Sequence, residues 1–142
     1  MKTLPVGIQD FNKIIQGGYL YVDKTEHIYR LLNCGAACFL SRPRRFGKSL
    51  LISTIEEIFS GNRDLFKGLW IEQSDYEWTQ HPVISIDFSK LNSQSPQSLK
   101  MGMSKQLGEV ASRYSIELDA KSEIDYQALD IIAGLYERTG ER

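Results

Sequence analysis

Few residues in this sequence are suited to holding a metal or sustaining thiol chemistry. Its 142 residues contain two cysteines and two histidines. Cys34 and Cys38 form neither a CxxC redox pair nor half of a zinc site with a second pair, so buried structural thiols are expected. His27 and His81 lie far apart, outside any HExxH or HxH pattern, and read as surface or turn residues. An excess of one charge is also missing. Seventeen basic and eighteen acidic residues leave a formal net charge of −1, which gives no global pull towards nucleic acid or membranes. Any anion site must therefore be local. No apolar run has the length of a secretory h-region or a membrane span, so a cytoplasmic chain without a membrane partner is expected. There is no repeat, low-complexity tract or linker. With 42% hydrophobic and 25% charged residues, the chain suits one globular domain with a real core.

One stretch organises the remainder: Cys38-Phe39-Leu40-Ser41-Arg42-Pro43-Arg44-Arg45-Phe46-Gly47-Lys48-Ser49-Leu50-Leu51. An apolar run breaks into a basic, glycine-bearing turn and resumes as an amphipathic helix. Gly47, Lys48 and Ser49 supply the GK[ST] ending of a phosphate-binding loop, in which backbone N–H groups and a helix N-terminus face the phosphates. Given a bound triphosphate, Lys48 is the cation on the β/γ-phosphates and Ser49 the Mg²⁺ ligand. The N–H groups from Arg44 to Ser49 form the cradle. Arg42 stands where the usual GxxxxGK[ST] pattern has its first glycine. It removes the residue that most easily takes a positive φ, and Pro43 stiffens the same turn, so the first half of the loop is expected to differ in shape from the standard cradle. Arg42, Arg44 and Arg45 add three guanidinium groups that can clamp phosphate bidentately.

The flanking segments read as alternating strands and helices. Asp10 caps a brief helix carrying Phe11, Ile14 and Ile15, which Gly17-Gly18 ends. Residues 19–22 favour extended backbone, and Asp23 with Glu26 opens a helix presenting Ile28, Leu31 and Leu32. Residues 36–40, apolar without alternation, read as a central strand covered on both faces. After the loop, Leu51, Ile55, Ile58 and Phe59 recur at helical spacing up to Gly61. The aromatic-rich stretch 64–81 reads as a packed connector, and residues 82–89 as a second strand ending near Asp87. Ser95-Pro96 starts a helix with a stripe of Leu99, Met103, Leu107, Val110, Ala111 and Tyr114. A last helix spans 125–138 with Leu129, Ile132, Ala133 and Tyr136 inward and Gly140 closing it. The expected fold class is α/β, P-loop NTPase-like, with a mostly parallel sheet flanked by helices.

Four segments carry a resemblance: Tyr21-Val22-Asp23-Lys24-Thr25, Phe39 through Ser49, Leu65-Phe66-Lys67-Gly68-Leu69, and Pro82 through Phe88. They resemble the successive motifs of the AAA-ATPase-like family of prokaryotic P-loop proteins, from about Leu4 to the final residue. The arginine at the first-glycine position of the loop is that family's own variant. The resemblance implies ATP and Mg²⁺ as cofactors, bound at Arg42, Pro43, Arg44, Arg45, Phe46, Gly47, Lys48, Ser49 and Leu50, with Asp23 of the YVDKT segment close by. Members of the family usually carry a later strand ending in acidic residues, the Walker B element, and often a nuclease-like domain of the PD-(D/E)xK type. Neither is visible here. The resemblance thus implies that residues 1–142 are the N-terminal part of an incomplete ATPase domain. ATP hydrolysis is expected of a full-length protein and is weak or absent in this part. Nucleic acid would be a partner only through a missing C-terminal domain.

Three alternatives stay open at this level. Asp87, ending an apolar strand, could itself hold Mg²⁺ as a Walker B acid together with Ser49. The arginine-rich loop could instead bind nucleic-acid phosphates in a non-enzymatic module, although net charge argues against the broad basic footprint such modules show. A degenerate loop kept for structure is the third.

Overall fold

The computed structural model describes residues 2–35, 37–91, 94–119 and 122–140. Ala36, at the start of the expected central strand, lies outside the described residues. So do Glu141 and Arg142. The chain divides into two compact units, residues 1–83 and 84–142.

The first unit is built around three helices: α1 (Phe11–Gln16), α2 (Thr25–Leu32) and α3 (Lys48–Phe59). Short 3₁₀ turns follow at Arg63–Phe66 and Trp70–Gln73. α1 starts where Asp10 accepts a hydrogen bond from Lys13 N at 2.9 Å, the side-chain cap its sequence encodes. α1 is tied to α3 by Phe11 N donating to Ser53 Oγ at 2.9 Å and Asn12 Nδ2 donating to Glu57 Oε1 at 3.1 Å. Phe11, Ile28, Ile58, Phe66 and Ile71 form the buried centre. The Phe11 ring stacks on Phe66 with centroids 4.7 Å apart and meets Tyr21 edge-on at 5.0 Å. Each fully buried side chain of this size contributes about 1.5–3 kcal/mol over its exposed state, so this aromatic-aliphatic centre holds the unit together. Trp78 packs on Phe66 and Tyr76 on Trp78. The aromatics of 64–81 therefore serve packing, as expected.

The second unit pairs α4 (Pro96–Arg113) with α5 (Ile124–Thr139), preceded by a 3₁₀ turn at Phe88–Lys90. Ser95 caps α4 by accepting from Ser98 N, with Pro96 in the first helical position, as the Ser-Pro pair predicts. Leu107, Val110 and Ala111 of α4 are buried with Ile131 and Leu135 of α5. α5 begins and ends within a residue of expectation, but its inward face is different. Gln127, Ile131 and Leu135 point in, whereas Leu129, Ile132, Ala133 and Tyr136 are exposed. Apolar residues on both sides of this helix, with Ile131 and Ile132 adjacent, leave the hydrophobic pattern unable to choose a face.

The expected parallel sheet is not found: among the described residues there is no strand, and the helices carry the fold. The segments thought to pair form no ladder among the described residues. Leu20 N donates to Thr3 O at 2.8 Å, but no strand pairing follows from it. In 37–40 no side chain is β-branched, and Phe39 is 95% exposed, so the run lacks the covered faces of a central strand. Around Asp87, a glutamine takes the backbone groups that a ladder would use: Gln106 Oε1 accepts from Asp87 N at 2.8 Å and Gln106 Nε2 donates to Asp87 O at 3.0 Å. An unalternating apolar run marks backbone that prefers extension, but pairing is non-local and is not written in it. The cysteines also depart from expectation. Cys34 and Cys38 are exposed, with their sulfurs joined to each other.

Candidate functional site

The loop between the extended run and α3 has the backbone its sequence requires. Gly47 takes a left-handed conformation, φ +74° and ψ +20°, as the N-cap of α3, and Leu51 N donates to its carbonyl at 2.9 Å. A second left-handed residue, Arg45 with φ +68°, precedes it by two. A non-glycine residue in this region costs about 1–2 kcal/mol, and such strain clusters at functional sites. Arg42 is not among the positive-φ residues. The absence of the first glycine therefore strains nothing at that position; the left-handed turn falls on Arg45 instead.

Lys48 folds back over the loop, its Nζ donating to the carbonyl oxygen of Arg42 and to that of Pro43 at 3.4 Å. Among the described residues, the guanidinium groups of Arg42, Arg44 and Arg45 and the hydroxyl of Ser49 have no hydrogen-bond partner, nor do the backbone N–H groups of residues 44–49. Residues 41–49 are all exposed. The result is a concentration of unpaired donors at one helix N-terminus, with Leu50, half-buried, anchoring the helix start. Such donors complement an anion.

Beside the loop lies a cavity of about 380 Å³ within the first unit. Arg42, Phe46, Gly47 and Leu50 of the loop and helix start line one side; Tyr21, Val22 and Lys24 of the YVDKT segment line another. That size falls within the range of small-molecule sites, about 300–1,000 Å³. The structure thus brings together the two segments that the sequence set side by side. Asp23 itself does not line the cavity. Its Oδ1 accepts from Thr25 N at 2.8 Å and Thr25 Oγ1 at 2.7 Å, and its Oδ2 accepts from Trp70 N at 2.7 Å. Burial pushes the Asp23 carboxyl towards neutrality, but these hydrogen bonds outweigh it and hold the group below the usual aspartate value. Lys24 takes the N-cap position of α2 and Glu26 pairs with Arg30 at 2.5 Å, so the expected Asp23 to Glu26 capping box does not form.

Asp87 belongs to the second unit. It caps the turn Phe88–Lys90, accepting from Ser89 Oγ at 2.6 Å and Ser89 N at 2.9 Å, with Lys90 Nζ 3.6 Å away. The Ser89 hydroxyl and amide hold its carboxyl below the ordinary value. No group of three or more His, Cys, Asp and Glu side chains able to hold a metal ion occurs among the described residues. Sequence reasoning did not single out His27, which it read as a surface or turn residue. Lys24 and His27 line the cavity, and only their three-residue spacing at a helix start could have hinted that they share a face.

A left-handed turn and a set of exposed donors at a helix N-terminus thus stand against a largely apolar pocket. The chain belongs to the AAA-ATPase-like family: the family model described as "Predicted AAA-ATPase" matches residues 5–142. It is also similar to an "Uncharacterized protein in vnfD 5'region" of Azotobacter chroococcum mcd 1, 51% identical over 89 residues, which cover 61% of this chain and 17% of that protein. The matched part is thus under a fifth of the relative's length. No solved structure matches the chain. None of the described helices is long and apolar enough to cross a membrane.

Proposed function

We propose that the first unit binds a nucleoside triphosphate, ATP in the first instance, with its phosphates over the loop from Arg42 to Leu50. The observation that carries this is the combination of unpaired N–H groups at residues 44–49 with the left-handed Arg45 and Gly47, beside a cavity of ligand size. In this variant Walker A loop Lys48 exchanges its carbonyl contacts for the β/γ-phosphates, and the guanidinium groups of Arg42, Arg44 and Arg45 add charge-assisted bonds. The Cβ of a residue placed at Gly47 would meet nothing within 4 Å, leaving room for close approach of phosphate.

Mg²⁺ is proposed to enter with the nucleotide, held by the phosphates and the free Ser49 hydroxyl. Magnesium keeps several waters and is commonly bound through substrate phosphates and few protein groups, which fits a unit lacking a cluster of metal-binding side chains among its described residues. Asp23 acts at one remove, fixing the segment on which Val22 and Lys24 stand. Turnover of the bound nucleotide is proposed on the family's description alone.

Isothermal titration with MgATP tests the loop. Lys48→Ala is expected to weaken binding at least tenfold, since a hydrogen bond to a charged group contributes about 1.5–3 kcal/mol. Equal affinity in the two proteins refutes it.

A further inference from the structure

The proposed phosphate loop leaves open what the adjoining cavity selects. Its walls are largely apolar, with Leu4, Leu20, Val22, Leu31 and Phe46 among them. The polar side chains are few, and two are already committed. The buried Thr54 hydroxyl donates to Leu50 O at 2.8 Å and lies against the Tyr21 hydroxyl. Arg42 belongs to the loop. Lys24 and His27 remain, three residues apart at the start of α2, both exposed and both without a hydrogen bond or ion pair among the described residues. Among the described residues, no Asp, Glu, Asn or Gln lines the cavity.

That inventory is one of donors. Lys offers three N–H donors and no acceptor, and neutral His offers one donor beside one acceptor. Adenine and guanine present different groups at position 6, an amino donor in one and a carbonyl acceptor in the other, but share the N7 acceptor next to it. Pyrimidines have no N7. Favouring adenine through side chains takes an acceptor for its amino group, as amides and carboxylates supply, whereas a Lys donor can serve guanine O6 and N7 together; among the described residues the cavity has no amide or carboxylate side chain.

We propose that the cavity receives the purine ring of the triphosphate bound at the loop, and that Lys24 and His27 are specificity-determining residues that hydrogen-bond N7. The site then selects purine over pyrimidine and does not favour adenine over guanine. This rests on the phosphate-loop proposal, so the test separates the two with inorganic tripolyphosphate.

Affinities of the 142-residue chain are measured by titration, in Mg²⁺, for ATP, GTP, CTP, 7-deaza-ATP and tripolyphosphate. GTP is expected to bind at least as tightly as ATP, with CTP and 7-deaza-ATP each at least tenfold weaker than ATP. In the double variant Lys24→Ala, His27→Ala the difference between ATP and 7-deaza-ATP disappears, while tripolyphosphate affinity is unchanged. A preference for ATP over GTP of tenfold or more, or equal binding of ATP and 7-deaza-ATP by wild type, overturns the purine-N7 assignment and leaves the phosphate loop standing. Tripolyphosphate binding that is absent, or insensitive to Lys48→Ala, overturns the loop itself and this assignment with it.

Discussion

Replacing Thr25 with valine tests the network that holds the YVDKT segment in place. Thr25 is fully buried. Its hydroxyl donates to Asp23 Oδ1 at 2.7 Å and accepts from Ile71 N at 3.1 Å, while Asp23 Oδ2 accepts from Trp70 N at 2.7 Å. One side chain thus links the start of α2 to the turn Trp70–Gln73. Valine keeps the shape and removes both bonds. Stranding the buried Ile71 N–H costs about 1–3 kcal/mol. Losing the donor to Asp23 costs about 1 kcal/mol rather than the full value for a charged acceptor, because Asp23 is exposed and water replaces the bond. The total is about 2–4 kcal/mol. With a urea slope of about 2 kcal/mol/M, the midpoint of the first unit's unfolding falls by about 1–2 M. Thr25→Ser keeps both bonds and loses one methyl group, about 1 kcal/mol. Urea unfolding followed by tyrosine and tryptophan fluorescence measures both, and amide exchange at Ile71 reports locally. The reasoning is refuted if Thr25→Val stays within about 0.5 kcal/mol of wild type, or if serine costs as much as valine.

The acid limb of stability follows from the carboxylates. Asp23 and Asp87 both titrate below the ordinary aspartate value in the folded chain. Each therefore binds fewer protons folded than unfolded near that value, and the stability it contributes is fully present above about pH 4 and lost as pH falls through the lower folded value. Melting from pH 7 to pH 3 should show Asp23→Asn and wild type converging below pH 4; a constant gap across that range contradicts the assignment. At Gly47, alanine has room but not the backbone preference: φ is +74° and the added Cβ meets nothing within 4 Å. Gly47→Ala should cost about 1–2 kcal/mol in urea unfolding and weaken tripolyphosphate binding, as the loop relaxes away from the left-handed turn. A variant indistinguishable from wild type in both measurements rules out the strained cradle.

What the sequence disclosed of this fold follows from the range of each interaction. The caps were legible because their donors lie three residues away: Asp10 meets Lys13 N, and Ser95 meets Ser98 N. The end of α3 was legible for the same reason, with Gly61 at φ +70° just past Ser60. The sheet was not legible, because the partner of an extended run is chosen by distant residues. At Asp87 the partner is the side chain of Gln106, nineteen positions away. Asp23 illustrates a subtler failure. A capping box looks forward three residues along the helix, but this carboxylate is bound chiefly by its neighbour Thr25 and by Trp70, 47 positions on. Nothing in the spacing of Asp23 and Glu26 distinguishes the two outcomes.

The loop shows how a motif mismatch and a backbone requirement come apart. GxxxxGK[ST] places a glycine where this chain has Arg42, and by letters alone the cradle lacks one of its permissive residues. The backbone locates the requirement elsewhere. The left-handed residues are Arg45 and Gly47, two positions apart at the lip of α3, and the backbone of Arg42 contributes a carbonyl, which receives Lys48. An arginine at position 42 therefore costs nothing in conformation and adds a charge next to the donors of residues 44–49. Arg45 carries the strain, and glycine there would relieve about 1–2 kcal/mol while removing a guanidinium. Keeping arginine at a position that favours glycine is consistent with a phosphate clamp, because a loop retained only for structure gains nothing from that side chain. If Arg45→Gly stabilises the chain and weakens tripolyphosphate binding together, stability and anion affinity are opposed at this residue; if it stabilises without weakening, Arg45 is no part of the clamp.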